Sequence, residues 1–371
     1  MGPPIRKITL KGYKSIRCLE DFALGRINVL IGANGCGKSN FVSFFQLLRE
    51  MVDGRLEQAV NIAGGADTHL FLGPKVTKQI EADLEFGENG YRFSLQPTAD
   101  NRLIFGDERI KYEWTPGYTQ SVDRSIGHGH SESKLKEQIE EDTRNKRISE
   151  YIYSAVSSWT VYHVHDTSET AAMRRTCSVR DNSRLRPDAG NLAAFLHFLR
   201  DDDEPSYRLI VETVKLVAPF FKDFRLRPTK RKDDEYVLLE WEQEGSDYPF
   251  HPSQLSDGTL RFIALATALL QPVPPATILI DEPELGLHPF ALDILGNLIL
   301  QAQERTQLIV STQSAPLLNS FDPEQIVVVE RHDGESTFRR LEKPGLTTWL
   351  EDYTLGELWQ KNVYGGGPVH E

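Results

Sequence analysis

The sequence predicts an α/β fold in which helices flank a mixed sheet, and three observations along its 371 residues support this prediction. The apolar run "INVLI" at 27–31 leads directly into the glycine-rich stretch "GANGCGKSN". The run "ILI" at 278–280 ends in the acidic pair "DE", and the run "QLIV" at 307–310 ends in the polar residues "STQ". Short apolar runs that end in turn-forming or polar residues are typical of buried strands in α/β sheets.

The glycine-rich stretch at 32–40 fits the phosphate-binding pattern G-x-x-x-x-G-K-[ST]. Glycine allows the backbone to curl so that N–H groups point inward, and the predicted helix that follows adds partial positive charge. We expect Lys38 to reach the β- and γ-phosphates of ATP and Ser39 to ligate Mg²⁺. A glycine-rich turn without chemistry is the alternative, and the flanking strand and helix argue against it. The predicted ATP-contacting residues of this P-loop are Gly32, Asn34, Gly35, Cys36, Gly37, Lys38, Ser39 and Asn40.

The acidic pair after the second apolar run predicts the hydrolytic part of the same site. Asp281 can hold Mg²⁺, and Glu282, on the other side of the strand, can orient or deprotonate the attacking water. A solvated loop is the alternative for these two carboxylates. Gln313 follows the third run, at the end of a strand where ligands bind in open α/β sheets, so it is a candidate γ-phosphate sensor or an ordinary loop glutamine.

The segment "LSDGT" at 255–259, the signature segment, precedes a mostly apolar helix predicted to run from 259 to 270. A serine and a glycine at a helix N-terminus expose N–H groups and a hydroxyl to an anion. Ser256 and Gly258 are therefore further candidates for contact with phosphate.

The order of P-loop, "LSDGT", "ILIDEPELGLHP" and "STQS" resembles the ABC-type ATPase heads of the RecF/SMC/OLD group. More narrowly, the chain resembles the stand-alone ATPases of the AAA family that have a split head and no Toprim nuclease domain. The stretches "RLRPDAGNLAAFL" and "YTLGELWQKNVYGGGP" also look like that narrower group. The resemblance covers most of the chain, about residues 5–100 and 250–341 as the two lobes.

The resemblance implies a dimer in which the signature segment of one subunit caps the ATP held by the P-loop of another. It implies that Asp281 is the Walker B magnesium ligand, that Glu282 is the catalytic base and that "ELGLHP" at 284–289 is the D-loop that crosses between subunits. Gln313 stands where most ABC heads have a histidine. Lys14 and Ser15 match an "FKS"-like element near the nucleotide, with tyrosine in place of phenylalanine. No glutamine of the magnesium-contacting loop is assigned.

The predicted organisation is a P-loop NTPase of ABC-ATPase type with an antiparallel β lobe and a small helical insertion. Residues 1–106 form the first half of the head, with the P-loop and the β lobe, and 107–225 form a helical or lid insertion. Residues 226–345 form the second half, with the signature, Walker B and switch elements, and 346–371 form a C-terminal tail.

The amino-acid composition narrows the range of possible partners and compartments. The formal net charge of −12 argues against a protein that coats DNA, although a local basic groove is compatible with it. Cys18, Cys36 and Cys177 lack a C-x-x-C spacing, which favours a reducing cytoplasm. No apolar run approaches the ~18–20 residues that span a bilayer, and the start lacks the apolar segment of a signal peptide, so no membrane partner is expected.

Weaker features leave alternatives open. The His-x-His pairs at 128–130 and 163–165 lack matched carboxylates or cysteines, so an incidental origin is favoured over a metal site. The arginines between 174 and 186 suit a nucleic-acid or acidic protein surface, a solvated loop or an indirect contact to nucleotide. Trp359 and Tyr364 of the tail can dock on a partner or fold back.

Two functions from different classes remain. In the first, this is an ATP-hydrolysing subunit that dimerises around ATP and serves as the sensor or motor of a prokaryotic anti-phage defence complex, with a separately encoded, nuclease-like effector. The lack of room for a Toprim domain after "IVVVERHDG" favours this expectation. In the second, it is a RecF-like ATPase that binds DNA in repair or recombination. Nucleic acid is thus a partner that the sequence permits and does not require.

Overall fold

The structure is a computed structural model that describes residues 3–113, 121–141, 145–231 and 234–367. Its strands are β1 (Lys7–Tyr13), β2 (Ile16–Ala23), β3 (Ile27–Ile31), β4 (Ile80–Phe86), β5 (Asn89–Pro97), β6 (Leu103–Tyr112), β7 (Val122–Gly127), β8 (Thr160–Tyr162), β9 (Cys177–Ser178), β10 (Phe221–Arg225), β11 (Thr229–Arg231), β12 (Asp234–Val237), β13 (Glu240–Gln243), β14 (Thr277–Asp281), β15 (Gln307–Thr312), β16 (Ile326–His332) and β17 (Glu335–Arg340). The predicted mixed α/β fold is confirmed.

Helices cover both faces of this framework. The α-helices are α1 (Lys38–Val52), α2 (Leu56–Ile62), α3 (Leu135–Glu140), α4 (Lys146–Ser157), α5 (Leu192–Asp202), α6 (Glu204–Val217), α7 (Asp257–Leu270), α8 (Pro289–Ala302), α9 (Ala315–Leu318) and α10 (Leu355–Gln360). Short 3₁₀ turns lie at Ala66–His69, Ala172–Arg174, Pro252–Gln254, Pro323–Gln325, Lys343–Gly345 and Trp349–Glu351. Across the described parts of the chain, none of these helices has the length and apolar character needed to cross a bilayer.

The main sheet has six strands in the order β17-β16-β3-β15-β14-β8. All neighbours pair in parallel except β16 and β17, which form an antiparallel hairpin. Because β3 is buried along its whole length, its side chains serve two cores. Val29 and Ile31 pack toward α5, α6, α7 and α8, whereas Leu30 packs toward α1 and the second sheet. This explains why the run "INVLI" shows no polar alternation.

The second sheet is antiparallel, in the order β2-β1-β4-β5-β6-β7, and forms the β lobe. Its inner face shares a core with α1, α4 and the main sheet, through Phe41, Phe45 and Trp159 among others. Two small sheets, β10-β13 and β11-β12-β9, lie in the middle of the chain. In the first of these, Phe224 and Arg225 of β10 lie opposite Trp241 and Glu240 of β13.

The segment boundaries proposed from the sequence stay predictions. The boundary between 106 and 107 falls inside the continuous strand β6, and the segment 107–225 contributes β8 to the edge of the main sheet. The insertion is therefore tied into both sheets. Helices α3 and α4 pack together beside α1, and residues 142–144 between them lie outside the described part of the chain.

Candidate nucleotide site

The P-loop curls around the ammonium group of Lys38. Nζ donates to the carbonyl oxygens of Gly32 at 2.7 Å and Ala33 at 3.1 Å, and only 5% of the residue is exposed. Gly35 and Gly37 have φ angles of 76° and 113°, in the left-handed region that favours glycine. A methyl group on Gly35 would extend into open space. The loop thus curls around a central cation, and the contact of Lys38 with phosphate stays a prediction.

Helix α1 begins directly behind this cradle. Its N-cap is Gly37, and none of the described side chains caps its first turn. The first N–H groups of the helix are therefore free to meet an anion. Ser39 is exposed at this end, whereas Asn40 donates to the Ser15 hydroxyl at 2.7 Å. Ser15, from the weakly matching "YKS" element, thus lies against the P-loop.

A hairpin braces the outer side of the loop. The Ser336 hydroxyl, on β17, donates to the Cys36 carbonyl at 2.5 Å, and Arg331, on β16, donates to the Gly35 carbonyl at 3.2 Å. Any side chain at Gly37 would collide with the Ser336 hydroxyl. The buried Cys36 therefore contributes a backbone anchor and a small side chain that fills space.

The acidic pair lies at the same edge of the sheet as the P-loop. In the parallel register Asp281 faces Ser311, and Ser311 faces Leu30, two residues before Gly32. The Ser311 hydroxyl donates to the Asp281 carboxylate, which is half-buried. The structure thus brings the predicted magnesium ligand and the P-loop to the same edge of the sheet, at the ends of two strands that are separated by β15.

Glu282 follows in a left-handed conformation, with φ at 46°. This backbone conformation is uncommon outside glycine, asparagine and aspartate and is concentrated at functional sites. The Glu282 amide donates to the Ser311 carbonyl at 2.8 Å, and its carboxylate accepts from the Gln313 side-chain amide at 2.6 Å. Gln313 is therefore more than a loop residue, because it holds the candidate base.

The D-loop is bound to the same glutamine. Its Glu284 carboxylate accepts from the Gln313 backbone amide at 2.6 Å, and burial raises the pKa of Glu284 above its usual value. The second Glu284 oxygen is buried and has no hydrogen-bond partner in the described structure. Through its backbone amide and its side-chain amide, Gln313 thus connects the end of β15 to the segment that follows β14.

The signature segment lies elsewhere. Ser256 is the exposed N-cap of α7 and accepts from the Thr259 amide at 3.1 Å. A methyl group on Gly258 would collide with the Gly286 carbonyl, so the signature and the D-loop touch within one chain. Where the chain is described, no hydrogen bond joins 255–259 to the P-loop, and the signature lines neither cavity that contains P-loop residues.

Comparison with known proteins agrees with this geometry. Residues 27–319 match the protein family described as "AAA domain, putative AbiEii toxin, Type IV TA system". The chain belongs to this family. No curated protein sequence matches it.

Solved structures with the fold of this AAA domain include heads of SMC proteins. A head bound to the C-terminal winged-helix domain of ScpA is 18% identical, with a TM-score of 0.60 over 93% of this chain and 100% of that one. A Pyrococcus furiosus head bound to the C-terminal domain of ScpA is 15% identical, with a TM-score of 0.55 over 94% and 99%. A Pyrococcus yayanosii head with a coiled coil and joint is 14% identical, with a TM-score of 0.52 over 94% and 99%. The predicted ABC-type head fold of the RecF/SMC group is confirmed.

The structure of this AAA domain adds Arg261, on α7, which sequence reasoning missed. Its buried guanidinium donates to the carbonyls of Val164 at 2.7 Å and His165 at 2.9 Å, and also to the Leu285 carbonyl. One side chain therefore joins the helix of the signature to the D-loop and to the segment after β8. In the sequence it is one arginine in an apolar helix, without a motif that marks it.

His163, in the second His-x-His pair, was not assigned to the nucleotide site from the sequence. It follows β8 directly, and β8 pairs in parallel with β14 so that Tyr162 faces Ile280. Burial lowers the pKa of His163, while the nearby Asp281 carboxylate acts in the opposite direction. The His163 ring also pairs with the Gln46 side chain on α1. The rule that selected Gln313, a polar residue after a short apolar strand, selects His163 as well.

The arginine group at 174–186 does not form one surface. Arg174 is buried and donates to the Leu255 carbonyl at 3.2 Å and to the Asp257 carboxylate at 2.7 Å, so it shapes the start of the signature helix. Arg180 and Arg186 form ion pairs with Asp234 and Asp181. Burial lowers the pKa of Arg49, and the charge of the nearby, exposed Arg184 lowers it further. Only part of the group is therefore available to a partner.

The tail folds back onto the head. The Tyr364 hydroxyl donates to the Leu355 carbonyl at 2.9 Å, and the Gly366 amide donates to Glu330 at 3.0 Å. Gly366 and Gly367 line a cavity of about 570 Å³ together with P-loop residues 33–36. The described end of the chain thus lies beside the P-loop.

Proposed function

We propose that this protein is an ATP-binding, Mg²⁺-dependent ATPase that dimerises around ATP. The observation that carries the proposal is the convergence of two elements at one sheet edge. The P-loop, with its buried Lys38, lies at the end of β3, and Asp281 and Glu282 lie at the end of β14. Gln313, which bonds to Glu282, lies at the end of β15 between these two strands. The family match supports an ATPase of the AAA type.

The residues present suit both ATP and magnesium. Lys38 and the uncapped first turn of α1 supply donors for the phosphate oxygens. The exposed Ser39 hydroxyl and the Asp281 carboxylate are oxygen ligands of the kind that Mg²⁺ requires. The Ser311 hydroxyl orients the Asp281 carboxylate by a hydrogen bond. When bound, Mg²⁺ neutralises charge on the phosphates.

Glu282 is the proposed general base. Its backbone is left-handed, and the Gln313 side-chain amide orients its carboxylate by a hydrogen bond. A carboxylate within reach of the attacking water can accept its proton and contributes about 10²–10⁴-fold to the rate of such reactions. Gln313 therefore acts as a positioning residue and senses the γ-phosphate through its contact with Glu282.

In the proposed dimer, a second chain supplies the contact between the signature segment and ATP that one chain does not make on its own. The exposed tip of the signature, with Ser256 and Gly258, does not reach the P-loop of its own chain, so we propose that it caps the ATP of a second chain. ATP then holds two chains together, and association is linked to nucleotide occupancy. The D-loop, which touches the signature at Gly286, would lie in the same interface.

The Glu282→Gln variant tests the base and the dimer together. We expect it to bind ATP, to hydrolyse it about 10²-fold or more slowly than the wild type and to accumulate as a dimer. The measurements are phosphate release and light scattering after size-exclusion chromatography with ATP and Mg²⁺. Hydrolysis at the wild-type rate would remove Glu282 from this role.

The biological setting that we propose is a prokaryotic anti-phage defence complex. The family description names a toxin of a type IV toxin–antitoxin system, and two SMC heads of the same fold are bound to a separate protein, ScpA. By analogy, this subunit acts as sensor or motor for a separately encoded, nuclease-like effector in the cytoplasm. Purification of the tagged protein from its native operon, with and without ATP, tests this idea, and recovery of the protein alone under both conditions contradicts it.

A RecF-like role in DNA repair or recombination is the alternative. Exposed cations such as Arg175 and Arg184 favour it, whereas the net charge of −12 opposes it. ATP-dependent binding to duplex DNA that weakens steeply with salt would support this role. The same titration with Lys38→Ala shows whether binding requires nucleotide.

A further inference from the structure

A cleft of about 580 Å³ runs along α1, on the side that faces the β lobe and the end of β8. We call it the α1 cleft. Its polar lining comes from Lys14 and His69 of the β lobe, from Ser43, Gln46 and Arg49 of α1, and from His163 after β8. No residue of the P-loop at 32–40 lines this cleft, and neither does Asp281 or Glu282.

The α1 cleft is positively charged in an acidic protein. Lys14, Arg49 and Arg55 line it together with one carboxylate, Glu50, and Arg55 pairs with that carboxylate at 2.6 Å. Among the described residues, no carboxylate lies within ion-pair distance of Lys14 or Arg49. Burial lowers the pKa of both cations; at Arg49 the charges of Asp53 and Glu50 act in the opposite direction, whereas no described carboxylate does so at Lys14. An anion in the cleft would supply a counter-charge to Lys14 and add to the one at Arg49.

Several side chains that line the α1 cleft also have hydrogen-bond donors without an acceptor in the described structure. Lys14 donates to the Ser43 hydroxyl at 2.9 Å, and Arg49 donates to the Trp159 carbonyl at 2.6 Å, so each keeps N–H groups for a further partner. His69 is only 4% exposed, and both of its ring nitrogens lack a partner in the described structure. Burial lowers the pKa of His69 to about 4, so the ring is neutral at physiological pH. Buried polar groups normally have partners.

We propose that the α1 cleft binds the phosphate group of a mononucleotide-sized ligand, at a site separate from the P-loop. Phosphate fits this set of groups better than carboxylate because it offers three oxygens to the donors of the lysine and the arginine, whereas the Ser43 hydroxyl already donates to the Asn40 carbonyl. The volume lies within the range of small-molecule sites. The ligand is either a free mononucleotide or the 5′-phosphorylated end of a nucleic-acid strand. The proposal does not depend on ATP hydrolysis.

The test uses the full chain with its P-loop filled by ADP and Mg²⁺. Uridine monophosphate, a 5′-phosphorylated oligothymidylate and the same oligonucleotide with a 5′-hydroxyl are titrated by isothermal calorimetry. We expect saturable binding of a phosphorylated probe at one site per chain. Binding of uridine monophosphate would indicate that the natural ligand is a free mononucleotide. Binding of the 5′-phosphorylated oligonucleotide without binding of uridine monophosphate would indicate a strand end. Titration of Lys38→Ala without ADP should give the same affinity, because that variant leaves the cleft intact.

Variants locate the site. Arg49→Gln should weaken binding about tenfold or more, since it removes a charged donor. Arg305→Gln is the matched control, because Arg305 also donates to backbone carbonyls but lies outside the cleft. Lys14→Asn is the second variant, because asparagine tolerates the φ of 47° found at this position.

Several results would overturn the proposal. Displacement of the probe by ADP would make the cleft part of the P-loop site. Equal affinity for the 5′-hydroxyl oligonucleotide, tighter binding of a polyglutamate peptide, or wild-type affinity in both Arg49→Gln and Lys14→Asn would exclude a phosphate site here. The proposal would also be excluded if none of the three nucleotide probes bound saturably.

Discussion

The two parts of the proposed nucleotide site differ in how far one chain completes them. On the P-loop side, the backbone is braced by Ser336 and Arg331, the lysine is buried, and Glu282 is held by Gln313. On the signature side, Ser256 is exposed, and within the described ranges its side chain bonds only to Thr259. The first part is preorganised within the chain, and the second presents its polar groups outward.

This difference indicates which part of the proposed site depends on association with a second chain. The P-loop side is braced within the chain, so we expect it to bind nucleotide in a monomer. The signature side has rigid support from Arg174 and from the contact of Gly258 with Gly286, but no phosphate of its own to bind. Mutations on the first side should therefore affect nucleotide binding, and mutations on the second should affect association.

The largest effect is expected on the P-loop side, from Lys38→Ala. Loss of charge-assisted hydrogen bonds worth about 1.5–3 kcal/mol each should lower ATP affinity about a hundredfold or more. Calorimetric titration of ATP measures this change, with Lys75→Ala as a control at an exposed lysine on the β lobe. If Lys38→Ala retained wild-type affinity, the P-loop would not be the nucleotide site.

On the signature side, Gly258→Ala should separate association from binding. The added methyl group collides with the Gly286 carbonyl, and overpacking of this kind costs about 1–3 kcal/mol. We expect ATP-dependent dimerisation to weaken about tenfold while the monomer binds ATP as the wild type does. Sedimentation velocity in the Glu282→Gln background measures the association. A loss of monomer affinity would show that the two sides are not separate.

Arg261→Lys tests the link between the two sides. Lysine cannot span the three carbonyls that the guanidinium joins, so buried acceptors lose partners at a cost of about 1–3 kcal/mol in the free energy of unfolding. Urea denaturation measures the loss. Arg305→Lys, which interrupts two backbone contacts far from the site, is the matched control. Equal losses in both variants would leave Arg261 without a special role.

The smallest effect is expected from Ser336→Ala. It removes the bond to the Cys36 carbonyl and should weaken ATP binding by about 1 kcal/mol, roughly fivefold. The same calorimetric titration applies. Ser253→Ala, at an exposed serine away from the P-loop, is the control. An effect as large as that of Lys38→Ala would mean that the brace, rather than the lysine, shapes the cradle.

The features that the sequence predicts well are those whose signals are local. The P-loop, α1 and the strand ends at Asp281 and Gln313 each depend on a few neighbouring residues, and the structure brings them to one edge. The N-cap at Ser256 is local in the same sense.

The features that the sequence does not predict depend on packing between distant segments. β8 has three residues, and only its pairing with β14 places His163 beside the acidic pair. Arg261 bonds to carbonyls 97 and 24 residues away, and its side chain carries no pattern that would indicate them. The Arg174 contact with Asp257, across 83 positions, is of the same kind.

The course of the tail has a practical consequence. Gly366 packs against Val328 and near the Ile31 carbonyl, one residue before the P-loop. An affinity tag or fluorescent protein fused after this point would lie beside the P-loop and obstruct the proposed nucleotide site. A fusion before residue 3 would begin next to Ile5, which is anchored to Gln307 on the opposite edge of the sheet. Labelled protein for the assays above is therefore best prepared with the label at the start of the chain.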